Sequence, residues 1–328
     1  MKIFISIASY QDPLLETTIL SAFNNAIAPE NLHFGICDQS SKPLDISLFS
    51  FASQISYEHI DPKTSEGPCW ARHRIQNFYE NEDYYFQIDS HMQFENGWDE
   101  YLLKYMIKIQ SDQSEFHKLP IISSYPRAFD VIDFDKKIFK LLDDDKKTHT
   151  IAYREDSIFL KDSFSRQIGA ISETEITHGY LLAAGCLLAP GSFVKEVPYD
   201  SEFYFYGEEI SIMLRAFTRG FSIFHIPAVP VFHLYTDVSD IKRKLHWDEE
   251  EDKKREIKWH EREKKSIERL SQIIDGKLDG IFGLGDKRSL EDYEFLSGIN
   301  FKKRSITNKG KAVTAEFISS LSWKESPF

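Results

Sequence analysis

Cysteine is scarce in this chain. Cys37, Cys69 and Cys186 are the only three in 328 residues. They stand far apart among apolar neighbours, with none of the short spacings of a zinc knuckle or redox pair. This excludes a disulfide framework and points to a reducing compartment, the cytoplasm. Long apolar runs are missing too. The most hydrophobic stretch, residues 179 to 194, is broken by Gly185, Pro190 and Gly191, so no transmembrane segment is expected, although peripheral membrane association stays open. The N-terminus alternates like a strand and lacks the apolar core and cleavage site of a signal peptide. Basic charge is in deficit, with a formal net charge of -12. That argues against a nucleic-acid partner, and an anionic substrate would need a metal ion or individually placed arginines.

What is present is an alternation of strand and helix signals. Residues 3 to 9 read as a strand, Asp12-Pro13 as an N-cap with proline at the first helical position, and Leu15, Ile19, Ala22 and Phe23 as the buried stripe behind it. Strands follow at 33 to 37 and 55 to 60. Gly67-Pro68 then opens a helix with Ala71, Ile75 and Phe78 inward, and an apolar run ends abruptly at Asp89. A βαβαβ pattern predicts a parallel sheet, with ligands outside the carboxyl ends of its strands. Ser9-Tyr10, Asp38-Gln39 and Asp89-Ser90-His91 all fall at such ends. Residues 136 to 147 read as a loop or a solvated helix without chemistry. Further on, 180 to 189 is a buried segment, Tyr204-Phe205-Tyr206-Gly207-Glu208-Glu209 leads into a helix stopped by Gly220, and strands are expected at 222 to 226 and 229 to 234. Residues 248 to 275 read as one charged helix. The remainder reads as a small helical appendage around Leu290, Tyr293 and Leu296, with a less ordered tail.

The segment DYYFQIDSHMQF, 83 to 94, carries the most chemistry. Two-residue spacing in extended backbone turns Asp89 and His91 to one side, where an oxygen and a nitrogen ligand suit Mn2+ or Mg2+ holding a substrate diphosphate better than a closed zinc site. A turn aspartate and a structural histidine are the bland alternative. His233, an imidazole inside an apolar strand, would complete the ligand set if its strand runs near Asp89. Either Arg72 or Arg74 suits a diphosphate through its fixed fork of donors, Arg72 being the preferred one, with surface solvation as the bland alternative. Glu208 and Glu209 start a helix, where acidic residues complement the dipole, but the three aromatics before them also suit a sugar-binding wall.

The motifs IASYQDP, GPCWARHRIQ, YYFQIDSHMQF, HGYLLAAGCLLAP, YFYGEEISIMLRAFTRGFSIFHIP and VFHLY, in this order over residues 1 to 240, resemble the cytosolic hydroxyproline-linked N-acetylglucosaminyltransferases and their bacterial relatives. GLGDKRSLEDYEFLSGINF resembles the same family's C-terminal piece. The resemblance implies an α/β GT-A fold, a mixed sheet flanked by helices, over residues 1 to 245. Residues 246 to 328 would then form the charged helix and appendage. It also implies a retaining, metal-dependent transferase using a UDP-sugar, by default UDP-N-acetylglucosamine, with a glycan or protein hydroxyl as acceptor. By position, Ser9, Tyr10 and Asp12 would line the uridine pocket with Ser90 close by, Arg72 would lie beside the diphosphate, and Asp89, His91 and His233 would hold the ion. Glu208 or Glu209 would face the acceptor. A nucleotide-sugar hydrolase, which would need further carboxylates for a second ion, and an inactive glycan-binding module are the rival readings.

Overall fold

The computed structural model describes residues 1–112, 114–142, 146–153, 167–172, 175–235 and 243–306. Along the chain these form β1 (Ile3–Tyr10), α1 (Leu15–Asn24), β2 (Leu32–Gln39), β3 (Ile55–Ile60), α2 (Pro68–Ile75), β4 (Tyr84–Asp89), β5 (Met92–Phe94), α3 (Trp98–Gln110), β6 (Pro120–Ser123), β7 (Arg127–Asp133), β8 (Ile138–Leu141), β9 (Thr148–Tyr153), β10 (Gln167–Ser172), β11 (Thr177–Gly179), β12 (Cys186–Pro190), α4 (Phe193–Glu196), α5 (Glu208–Thr218), β13 (Ser222–His225), β14 (Val231–His233), α6 (Glu249–Asp252), α7 (Trp259–Ile274) and α8 (Leu290–Ser297).

The main sheet has the strand order β11-β13-β6-β12-β4-β1-β2-β3. The half formed by β4, β1, β2 and β3 is parallel, as the βαβ pattern predicts. Antiparallel β12 beside β4 makes the whole sheet mixed. Strand β4 lies between β1 and β12, covered on both faces, which is why its sequence is mostly apolar without alternation; Tyr84, Tyr85, Phe86 and Ile88 are all buried, and the one polar side chain among them, Gln87, is buried too and donates to the carbonyl of Ala184 and the hydroxyl of Tyr199. Trp98 of α3 packs fully buried under this strand and donates its indole N–H to the carbonyl of Ala22 (2.8 Å), so its one polar atom is satisfied. At Gly35 a Cβ would overlap the ring of Phe4, so glycine lets β2 lie against it. A smaller sheet, β5-β14-β7-β8, stands at the carboxyl end of β4.

Three expectations change. Helix α1 starts at Leu15; Asp12 precedes it in a turn, accepting from the backbone N–H of Leu14 (2.9 Å). Residues 138–141 are a strand of the β7–β8 hairpin, with burial alternating along Ile138–Leu141. A period of two over so few residues is easily lost in a charged stretch. The expected single helix at 248–275 is two, α6 and α7, and the break turns Arg255 inward, 4 % exposed, where it donates to the carbonyl of His246 and to the hydroxyl of Tyr10. Leu270, Ile273 and Ile274 of α7 and Tyr293 and Leu296 of α8 belong to the same buried cluster as the main sheet. Among the described residues no helix is long and apolar enough to cross a membrane. The expected tail, 307 to 328, lies outside the described residues.

Candidate metal centre and flanking clefts

Strand β4 stops at Asp89 because the chain turns a corner at Ser90 and His91 before β5 begins at Met92. Thr18 of α1, fully buried, holds that corner. Its hydroxyl donates to the carbonyl of Ser90 (2.7 Å) and accepts from the N–H of Met92 (2.9 Å). The β5–β14 ladder places His233 opposite Met92, and Leu234 N–H donates to the carbonyl of His91 (3.1 Å). Asp89, His91 and His233 thereby present one ligand atom each within 4.8 Å of one another. Their convergence comes from the corner and the second sheet, and not from a single extended strand. His91 Nε2 lies 2.9 Å from His233 Nε2, which is 3.4 Å from Asp89 Oδ2. Gly185 lines the other side of the carboxylate: Asp89 N–H donates to its carbonyl (3.3 Å), and a Cβ there would overlap Asp89 Oδ2.

The donor chemistry fits a divalent ion. His91 Nδ1 is 2.7 Å from Asp12 Oδ2. A carboxylate accepts only, so the ring proton sits on Nδ1 and the Nε2 lone pair faces His233 and Asp89. Burial alone would raise the pKa of Asp89. Hydrogen bonding to His233 and the charge of Arg72 outweigh it and hold the carboxyl ionised, below the usual carboxylate range. Burial pushes the His233 imidazole down, toward the neutral form that ligates metal. One carboxylate oxygen and two imidazole nitrogens leave positions open for substrate oxygens.

Behind the ligands lies a buried ion triad. Arg72, 5 % exposed, donates to Asp89 Oδ1 (3.0 Å) through one arm and to Glu208 Oε1 through the other. Burial would lower its pKa, but Glu208 first and Asp89 with it hold the guanidinium pKa well above its ordinary value. Arg72 thus ties the metal strand to the start of α5. Glu209, the next residue, turns away from this triad. It accepts from the N–H of Ala184 (2.9 Å) and from the side-chain amide of Gln167 on β10. Burial pushes its carboxyl up to about 7.

Two clefts meet at this corner. One, of about 360 Å³, is lined by Arg72, Asp89, Tyr125, Gln167, Ala184, Phe205, Glu208, Glu209, His233 and Tyr235. The second, of about 160 Å³, is lined by Tyr10, Asp12, Gln39, Pro68, Ser90, His91, His246, Trp247 and, again, Asp89 and Phe205. Asp89 therefore stands on the partition. Of the residues singled out in the sequence, Ser9 lines neither cleft: its hydroxyl is buried with no hydrogen-bond partner among the described residues, and its carbonyl accepts from Gln39 (2.9 Å). Asp38 turns aside to the hydroxyl of Tyr57 (2.7 Å). Sequence reasoning missed Tyr125, Gln167, Tyr235, His246, Trp247 and the pair Glu251 and Arg255, both bonded to Tyr10 OH. Only Trp247, an aromatic just before the acidic run that starts at Asp248, carried a local signal.

A family model described as Glycosyltransferase (GlcNAc) matches residues 2–50 and 42–303. The chain belongs to this family. The match agrees with the likeness read from the motifs. Among solved structures, this GlcNAc glycosyltransferase family member is similar to GalNAc-T7, crystallised with UDP, GalNAc and Mn2+, at 14% identity and a TM-score of 0.55, covering 72% of this chain and 43% of that one. The chain thus spans less than half of the GalNAc-T7 chain it matches, and the likeness shows the GT-A fold. S. aureus TarS 1-349 is more distant, at 12% identity, 68% and 58% coverage and a TM-score of 0.41; its complex with UDP-GlcNAc gives 12%, 77% and 64%, and 0.40. No curated protein matches the chain.

Proposed function

We propose that this chain transfers N-acetylglucosamine from UDP-N-acetylglucosamine to a hydroxyl of a glycan or a protein, with retention, using Mn2+ or Mg2+. The observation that supports this most is the convergence of Asp89, His91 and His233 on the partition between two clefts. GalNAc-T7, of the same fold, was solved with UDP and Mn2+. The bound ion would stabilise the negative charge that grows on the departing diphosphate. The narrower cleft, walled by Tyr10, His246 and Trp247, suits the nucleoside, and the wider one suits the sugar and acceptor. Arg72 holds Asp89 and Glu208 at fixed spacing, so the ligand and the cleft wall do not reorganise during transfer. Glu209, on the wider cleft, accepts a hydrogen bond from the incoming hydroxyl. Three buried, free cysteines support a cytoplasmic location.

The test is release of UDP from a panel of UDP-sugars by purified protein with Mn2+, followed by NMR of the anomer formed on a hydroxyl acceptor. UDP-N-acetylglucosamine should be used fastest and give the retained anomer. Release from no UDP-sugar at all, or an inverted product, would defeat the proposal.

A pH prediction follows from Glu209. Because burial raises its carboxyl from the ordinary 4.5 to about 7, the group is neutral well below that value and ionised above it. The stability contributed by keeping it neutral is fully present below about 4.5 and lost as pH rises through about 7, while the ionised form, the stronger hydrogen-bond acceptor for the incoming hydroxyl, gains population over the same window. Turnover in wild type should therefore rise through pH 7, and Glu209→Gln should show a flat profile there with UDP affinity near normal. A rise that survives in Glu209→Gln would assign it to another group.

A further inference from the structure

From the packing beneath the metal centre, we infer that Asp12 is the positioning residue of that centre, fixing the tautomer and orientation of His91; the inference rests on the metal site proposed above. Asp12 adjoins the nucleoside-side cleft, but its carboxylate is directed at the corner after β4. Oδ1 accepts from the N–H of Leu14 (2.9 Å), and Oδ2 accepts from Ser90 Oγ (2.8 Å) and His91 Nδ1 (2.7 Å). Its side chain is 6 % exposed. Three donors converge on a buried acceptor, so its orientation has no competitor in solvent. The consequence falls on the far side of the imidazole. With its proton bound to Asp12, His91 keeps a bare Nε2 aimed at the ligand atoms of Asp89 and His233, and the ring cannot rotate without breaking the bond.

Asparagine at this position cannot repeat the pattern, because both carboxylate oxygens accept. If its amide nitrogen takes the Oδ2 position, it faces His91 Nδ1 and Ser90 as a donor, which favours the proton on His91 Nε2, where it blocks the ion. If the amide is flipped, it faces the donor N–H of Leu14 instead.

The experiment measures Mn2+ affinity by calorimetry for wild type, Asp12→Asn and Asp89→Ala, with long-range ¹⁵N correlation spectra of the histidine rings. Wild type without metal should show His91 protonated at Nδ1, and Asp12→Asn should bind Mn2+ about 10- to 100-fold more weakly, as loss of such an outer partner does. The wild-type spectrum needs no variant to fold. Finding His91 protonated at Nε2 in wild type would overturn the inference, as would Asp12→Asn binding Mn2+ like wild type while Asp89→Ala does not. If Asp89→Ala also leaves Mn2+ binding unchanged, the metal site itself is wrong, a separable failure.

Discussion

Asp89→Ala should abolish the metal dependence of UDP binding, weakening UDP affinity in Mn2+ on the order of 100-fold or more, about 2.7 kcal/mol, with little effect when chelator is present. The size follows from the ligand set. His91 and His233 serve as neutral donors, so Asp89 supplies the set's only negative charge, and the hydrogen bond to His233 with the Arg72 charge outweighs burial and keeps that carboxyl ionised. Arg72 retains Glu208 as a partner in the variant, so the loss should appear in binding before it appears in stability. Calorimetric titration of UDP with Mn2+ and with chelator measures both halves. Equal UDP affinity in wild type and variant under Mn2+ would remove Asp89 from the site.

Arg72→Met should cost about 3 to 5 kcal/mol of folding stability, the usual cost of leaving one partner of a buried ion pair uncompensated. Glu208 is 4 % exposed and lies directly against the guanidinium, and Asp89 loses a donor at the same time. The double variant Arg72→Met, Glu208→Met should recover much of the loss, since two apolar chains of similar volume replace a pair whose desolvation penalty is high. Urea unfolding midpoints measure the cycle. A loss below about 1 kcal/mol in the single variant would mean that the pair is solvated, as surface pairs are.

How much of this was legible in the sequence depends on the range of the interaction. Strand β4 announces itself because a central strand covered on both faces is largely apolar, and Asp89 announces itself by ending it. The strand carrying His233 was readable from its apolar neighbours Val231, Phe232 and Leu234, all buried. Partnerships between distant residues leave no local trace. Arg72 meets Glu208 across 136 positions and Tyr10 meets Glu251 across 241, so the arginine is indistinguishable in sequence from a free phosphate-binding group. Asp12 is the sharpest case: a local reading sees a helix cap before Pro13, and it does bond Leu14, but its other oxygen serves His91, 79 residues on. The break between α6 and α7 was hidden because no glycine or proline marks it. Burial of Arg255 against Tyr10 is what turns the chain there.

The most direct test of the central claim is anomalous diffraction at the manganese edge from a crystal grown with UDP and Mn2+. A single strong peak at bonding distance from Asp89 Oδ2, His91 Nε2 and His233 Nε2, touching the diphosphate and lying on the partition between the two clefts, is the expected result. Ordered UDP with the manganese peak elsewhere, or with none and these three side chains packed among themselves, would contradict the account.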